Sequence, residues 1–285
     1  MNKERLIDLH VHTTASDGTF SPSEVVCLAS KAGLSAIAIT DHDTVLGYAE
    51  AAKAGEQYGI EIIPGIEIST RYRGAVHILG YYVDPNSQGM NEALGWIVQN
   101  RDNRNKRICA LMQADGLPVY YEEMKERFGD VIGRPHFASV LVELGLAANI
   151  QDAFTRYVEK GQKYYLPRTF LPIEHSVEII AEAGGLPVLA HPFQYRLDDA
   201  SLRNLIEHCM EYGLVGMECY YTGYTADQSE YLCRLAREYR LLQTGGSDFH
   251  GQNKSHIQLG IGTGSLSVPY TLLEALKRHA GISEG

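Results

Sequence analysis

Four short apolar segments of this 285-residue chain each run directly into a group of histidines and acids, and few folds can accommodate that pattern repeatedly. Leu6 to Val11 contains Asp8 and His10 and leads into His12 and Ser16-Asp17-Gly18, and Ser35 to Thr40 ends in Asp41-His42-Asp43. Pro187 to Ala190 ends in His191, and Leu241 to Thr244 precedes Gly245-Gly246-Ser247-Asp248-Phe249-His250. Burying an imidazole or carboxylate without a partner costs roughly several kcal/mol, so ionisable residues recurring at the ends of apolar strands need a common compensating group. Parallel α/β barrels gather such residues, because their sites are built from the C-terminal ends of the strands.

The intervening sequence supports that architecture. Ser21-Pro22-Ser23-Glu24 reads as a capping box with proline in the first helical turn, opening a helix to Lys31, and Val45 to Tyr58 reads as a second helix ended by Gly59. Glu61 to Pro64 reads as a strand with Glu67 just after it, and His77 to Val83 as a further strand in a series of parallel βα units. From residue 88 to residue 170 strand signals stop, and apolar residues recur at helical spacing in Leu94 to Met112, His136 to Leu144 and Ile150 to Val158. Alternation resumes with helices over Ile173 to Ala183, Ala200 to Tyr212, Ala226 to Tyr239 and Thr271 to His279, and with a strand over Val215 to Tyr220 that contains Glu218. The expected fold is α/β, a barrel of about seven strands over residues 1–87 and 171–285, with a helical insertion over residues 88–170.

Charge narrows the partners. The formal net charge of -10 disfavours a general duplex-binding surface, which needs clustered lysine and arginine. Residues 88–170 hold 11 Lys+Arg against 10 Asp+Glu, so the acidic excess lies entirely in the remainder. No apolar run approaches the roughly 18 residues of a membrane span, and the polar start is unlike a secretory signal, which points to the cytoplasm. Five cysteines without C-x-x-C spacing suit reduced thiols better than a disulfide or zinc-thiolate framework.

Taken singly the ionisable groups say little. His10-x-His12 places two imidazoles on one side of a strand, where they can share a metal, yet such pairs also occur as ordinary polar side chains. His77 alone would read as a hydrogen-bonded core histidine. Their conjunction is far more specific: His-x-His, Asp-His-Asp, Glu67, His77, Ala190-His191-Pro192, and Asp248-x-His250, in that order. The donors are imidazoles and carboxylates without thiolate, a mixture compatible with manganese, iron or zinc.

On these residues the chain resembles the PHP (polymerase and histidinol phosphatase) superfamily, over nearly its whole length. The stretches Asp8 to Gly18, Thr40 to Thr44, His77 to Gly80 and Gly246 to Gly251 are most similar to a bacterial branch with a helical insertion. Its members hydrolyse nucleoside 3',5'-bisphosphates and, in some cases, short RNA from the 5' end. The resemblance implies a distorted seven-stranded barrel and two or three divalent ions, manganese first. His10, His12, Glu67 and Asp248 would surround one ion, Glu67, His77 and His191 a second, and Asp17, His42 and His250 a third. Glu67, His191 and Asp248 would be the catalytic ligands, with a metal-bridging hydroxide as nucleophile and no side-chain nucleophile.

The same resemblance assigns substrate contacts to the insertion. Arg134 and His136, in Gly133-Arg134-Pro135-His136, would grip a second phosphate, Arg offering a bidentate fork. Arg196, after His191, is a further candidate phosphate ligand. Lys160 and Lys163 lie in a stretch whose match is looser, since Gln162 stands where a lysine is common. The expected partner is a small phosphorylated nucleotide or short single-stranded RNA, with neither duplex nor membrane. Two alternatives remain: a histidinol phosphate phosphatase sharing the metal site, and a catalytically silent metal-binding PHP module, which would be expected to have lost ligands.

Overall fold

The computed structural model describes residues 5–129 and 131–282. They form two compact units, one running up to Glu92 and resuming at Leu171, the other Ala93–Phe170. The first is built on an eight-stranded sheet: β1 (Ile7–Val11), β2 (Ala36–Ile39), β3 (Glu61–Arg71), β4 (Ala75–Tyr81), β5 (Leu171–Pro172), β6 (Leu186–Leu189), β7 (Gly216–Tyr221) and β8 (Leu242–Gly246). Seven strands run in the order β1-β2-β3-β4-β6-β7-β8, and the two-residue β5 pairs with the far end of β3. The residues after β8 return to β1, with Asp248 N donating to His10 O at 2.9 Å and His12 N to Phe249 O at 2.9 Å, so the sheet curls into a nearly closed barrel. Gly246 permits this approach, because a Cβ there would collide with the His10 backbone.

Helices α1 (Pro22–Ala32) and α2 (Gly47–Tyr58) follow β1 and β2, as right-handed βα units require. The capping box is present, Ser21 N donating to Glu24 Oε2 at 2.8 Å and Glu24 N to Ser21 Oγ at 3.3 Å. One apolar cluster fastens β1 and β2 to these helices through Val11, Val25, Ala29, Ile37, Ile39 and Ala51. Another joins Ile7, Leu9, Ala38, Ile63, Leu79 and Val188 to Leu273 and Leu276 of the final helix, α10 (Thr271–His279), after α7 (Ile173–Glu182), α8 (Asp199–Glu211) and α9 (Ala226–Glu238). Tyr81 crosses the barrel interior to donate to Leu9 O at 3.0 Å.

The structure corrects the parallel reading of the third and fourth strands. β3 does not stop at Pro64 but continues to Arg71, pairing in parallel with β2 through Pro64 and antiparallel with β4 from Gly65 onward. β4 is also antiparallel to β6. A proline-glycine pair usually punctuates a strand, but here Pro64 needs no amide hydrogen and its carbonyl accepts from Tyr82 N at 2.7 Å. Glu67 consequently lies inside a strand rather than after one, and His77 is the third residue of β4 rather than its first.

The second unit contains most of α3 (Gln88–Ala114), then α4 (Tyr121–Phe128), α5 (Arg134–Glu143), and α6 (Ile150–Ala153) continued by a π-turn over Phe154–Val158. Its core gathers Ile108, Met112, Met124, Phe137 and Leu141. Helix α4 escapes the sequence pattern because only Tyr121 and Met124 of its eight residues are buried. Among the described residues no helix is long and apolar enough to cross a membrane.

Candidate metal centre

At the barrel mouth β1 delivers His10 and His12, and neighbouring acids fix their posture. Glu218 on β7 lies 3.0 Å from His10 Nδ1, which makes that nitrogen the donor and turns Nε2 toward the centre. The other Glu218 oxygen accepts His191 N at 2.7 Å, holding a residue with the uncommon backbone angle φ 25°. Asp8 plays the same part on the far side of β1, accepting Ser247 N at 2.8 Å, Ser247 Oγ at 2.5 Å and Gly260 N at 2.8 Å. Asp41 ties down the loop that carries Asp17 by accepting Thr13 N at 2.7 Å and Ser16 Oγ at 2.6 Å. Beyond β2 the backbone pairs with β3 through Asp43 N to Glu67 O at 3.0 Å, which sets His42 beside Glu67.

Glu67 is the hub. Its Oε2 lies 3.4 Å from His10 Nε2 and 3.3 Å from His12 Nε2, and those nitrogens are 3.6 and 3.3 Å from Asp248 Oδ1. Its Oε1 lies 2.8 Å from His77 Nδ1 and 3.0 Å from His191 Nε2. A third set forms around Asp17, whose Oδ1 is 3.2 Å from His250 Nε2 and 3.9 Å from His12 Nδ1. His42 belongs to this set and also approaches Glu67 Oε2 at 2.9 Å. All nine residues expected as ligands thus stand in one cluster, with His10, Glu67 and His77 inside β1, β3 and β4 and the other six in the segments that follow β1, β2, β6 and β8.

The cluster is short of partners in a way that cations relieve. Thirteen buried side-chain nitrogen or oxygen atoms among the described residues lack a hydrogen bond, and seven of them are here: His10 Nε2, both ring nitrogens of His12, Asp17 Oδ1, His42 Nδ1, Glu67 Oε2 and His191 Nδ1. Leaving such an atom unpaired costs about 1–3 kcal/mol, and the seven converge instead of being scattered. Imidazole and carboxylate donors within 4.8 Å of one another in three overlapping groups fit divalent ions.

The electrostatics agree. Burial alone would raise the Glu67 carboxyl, but His42, His77 and His10 hold it well below the usual range. Burial likewise opposes ionisation of Asp248, and Lys254, His250 and His10 overcome it. Burial works against the charged His12 ring, yet Asp248 and Glu67 lift it to about 9, whereas burial dominates at His77 and His250 and lowers both. The carboxylates therefore stay ionised and draw positive charge to the ring nitrogens, as protons or as metal.

A cleft of about 280 Å³ opens onto the cluster, lined by His42, Glu67, His77, His191, Tyr195, Tyr221, Asp248 and Lys254 among others. A larger cavity of about 500 Å³ beside Tyr220, Cys233 and Arg237 shares Tyr221 but contains no comparable set of donors among the described residues, so the smaller one is the candidate site. Arg196 caps the short turn Pro192–Tyr195 and is absent from the lining of this cleft. Arg134 and His136 lie in the helical unit, the Arg134 guanidinium 5.8 Å from the Phe154 and Tyr165 rings. His136 Nδ1 accepts Gly133 N at 2.9 Å, and its ring stacks on Phe128 at 4.6 Å. Glu218 is marked in the sequence only as an acid inside an apolar strand, with no motif to give it a task. Tyr221 and Lys254 donate to Asp248 Oδ2 at 2.6 Å each, and no spacing pattern in the sequence marks either.

Known proteins are similar to this chain over most of its length. The model of the PHP domain matches residues 8–211. A 5'-3' exoribonuclease of Haemophilus influenzae is 37% identical over 85% of this chain and 89% of its own. A 3',5'-nucleoside bisphosphate phosphatase of Chromobacterium violaceum is 31% identical over 89% of this chain and 90% of its own. The crystal structure of a protein from Bifidobacterium adolescentis, described as a metal-dependent phosphoesterase, superposes with a TM-score of 0.84 at 30% identity, covering 98% of this chain and 97% of that one.

Proposed function

This chain belongs to the PHP domain family, and from that premise we infer that it is a metal-dependent phosphoesterase whose substrate is a small nucleotide bearing a second phosphate, in the first place a nucleoside 3',5'-bisphosphate. Short RNA attacked from its 5' end is the related substrate, as the name of the Haemophilus influenzae relative suggests. The observation that carries the reading is Glu67, a buried carboxylate that presents one oxygen to His10 and His12 and the other to His77 and His191.

His10, His12, Glu67 and Asp248 would hold one ion, Glu67, His77 and His191 a second, and Asp17, His42 and His250 a third, with manganese our first candidate in an oxygen and nitrogen set that iron or zinc also suits. Bound divalent ions supply Lewis acidity toward phosphoryl oxygens and lower the pKa of water. The chain's own residues do the positioning. Glu218 fixes the His10 tautomer and the His191 backbone, and Tyr221 and Lys254 hold Asp248 Oδ2 so that Oδ1 faces His10 and His12. Arg134 and His136 are the residues we assign to the phosphate that is not cleaved, with Arg196 as a second phosphate contact. The odd, unspaced cysteines support work in the reducing cytoplasm.

The test is a screen of manganese-supplemented protein against nucleoside monophosphates, 3',5'-bisphosphates, histidinol phosphate and short 5'-phosphorylated RNA. The highest kcat/KM is expected for the bisphosphate. A clear preference for histidinol phosphate would overturn the substrate assignment while keeping the metal site.

A further inference from the structure

Among the described residues, every charged side chain lining the cleft belongs to the ligand cluster except one, Lys254. It ends the short turn Gly251–Lys254 that follows β8, and that turn is pinned to the Asp17 loop. Gln252 N donates to Thr19 Oγ1 at 2.8 Å, and Asn253 Nδ2 donates to Asp17 O at 2.7 Å. Gly251 takes φ 65° with no room for a Cβ, which would strike Thr19 Oγ1 and the Phe20 ring. The lysine is thus aimed by a fixed backbone rather than waving from a loop.

Its ammonium has three donors, and one rests on Asp248 Oδ2 at 2.6 Å. That oxygen already accepts Tyr221 OH at 2.6 Å, so anchoring Asp248 does not require a lysine. With its side chain 36% exposed at the cleft wall, Lys254 keeps donors toward the space beside Glu67, His77 and His191. A phosphate ester entering that space carries up to two negative charges, and positioned cations that meet such charge stabilise it most where water is excluded.

We propose that Lys254 is a catalytic residue of this enzyme, its ammonium contacting a non-bridging oxygen of the phosphoryl group while remaining beside Asp248. The assignment rests on the phosphoesterase reading and adds one residue to it. The lysine neutralises charge on the phosphoryl oxygens and neither accepts nor delivers a proton.

Three readouts on the metal-loaded full chain decide it: kcat/KM for p-nitrophenyl phosphate, the affinity for inorganic phosphate by calorimetry, and metal ions per chain. Lys254→Met should lower kcat/KM by about 10- to 100-fold, as for loss of a hydrogen bond to a charged group. Phosphate affinity should weaken about tenfold or more, with metal content unchanged, and Lys254→Arg should recover most of both losses. Metal content falling in step with activity would overturn the proposal and make Lys254 a support for Asp248. Near wild-type kinetics and phosphate affinity in Lys254→Met would also overturn it. Failure of the wild type to hydrolyse any phosphate ester would instead sink the phosphoesterase reading, and phosphate affinity would still judge the lysine.

Discussion

Arg104 and His10 are both buried, and the two units that hold them treat that burial in opposite ways. In the helical unit Arg104 Nε donates to Leu166 O at 2.8 Å and its Nη1 to Asn105 Oδ1 at 3.1 Å, while Asn105 Nδ2 reaches Ile132 O at 2.9 Å, a network that closes upon the protein itself. In the barrel unit His10 secures one nitrogen on Glu218 and leaves the other, with six more atoms around it, lacking any hydrogen-bond partner. The first arrangement contributes to folding. The second calls for positive charge, as protons or as metal, and such a demand concentrated at one point of a barrel is the physical mark of a binding site.

The contrast is broken most forcefully at Glu67. Glu67→Gln should reduce kcat by on the order of 10³-fold, more than alanine at any single histidine, because one carboxylate serves two ions and offsets their repulsion. Near wild-type kcat with full metal content would refute the bridging role. In the helical unit the matching test is Phe137→Ala, since that ring is fully buried. It should cost about 3–5 kcal/mol in denaturant unfolding yet leave kcat on p-nitrophenyl phosphate nearly unchanged in folded protein. A fall in kcat without a fall in stability would mean that the helical core takes part in the chemistry.

Arg134→Ala sharpens the division further. It should lower kcat/KM for a 3',5'-bisphosphate by about 10- to 100-fold, the ~1.5 to 3 kcal/mol of a hydrogen bond to a charged group, and leave a simple aryl phosphate nearly untouched. Equal losses on both substrates would reassign Arg134 to support of the fold or metal site.

A change of pH perturbs the site without altering any residue. In the metal-free protein His12 is lifted to about 9, above its unfolded value, so its ion pair contributes stability that is fully present below about 6.5 and lost as pH rises through about 9. Metal binding has the opposite sign, because the proton must leave before the nitrogen can ligate. Metal affinity measured by calorimetry should therefore rise about tenfold per pH unit for this one proton between about 6.5 and 9, then level. An affinity independent of pH across that range would remove His12 from the ligand set.

Most ligand residues were legible in the sequence because they stand at or just past the end of an apolar strand, where nothing structural calls for His191, Asp248 or His42, whereas Glu67 and His77, which lie within strands, were legible through their place in the series. The sense of the strands was not. Whether β4 returns antiparallel depends on the turn Tyr72-Arg73-Gly74 and on β3 running past Pro64, and a local proline-glycine signal masks both. Residues that act through others were least legible. Glu218 and Asp8 look like any acids in a strand until the backbone amides of His191 and Ser247 are seen resting on them. Lys254 carries no periodic signal, because its place in the cleft depends on a turn held by Thr19 and Asp17 far away in sequence.

The central claim is that the seven unpartnered atoms of the barrel mouth exist to take divalent cations. Titration of chelator-stripped protein with manganese, followed by calorimetry together with hydrolysis of p-nitrophenyl phosphate, tests it most directly. Two or three ions should bind per chain and activity should return in step with their uptake. Full activity in stripped protein, or no uptake by correctly folded protein, would contradict it.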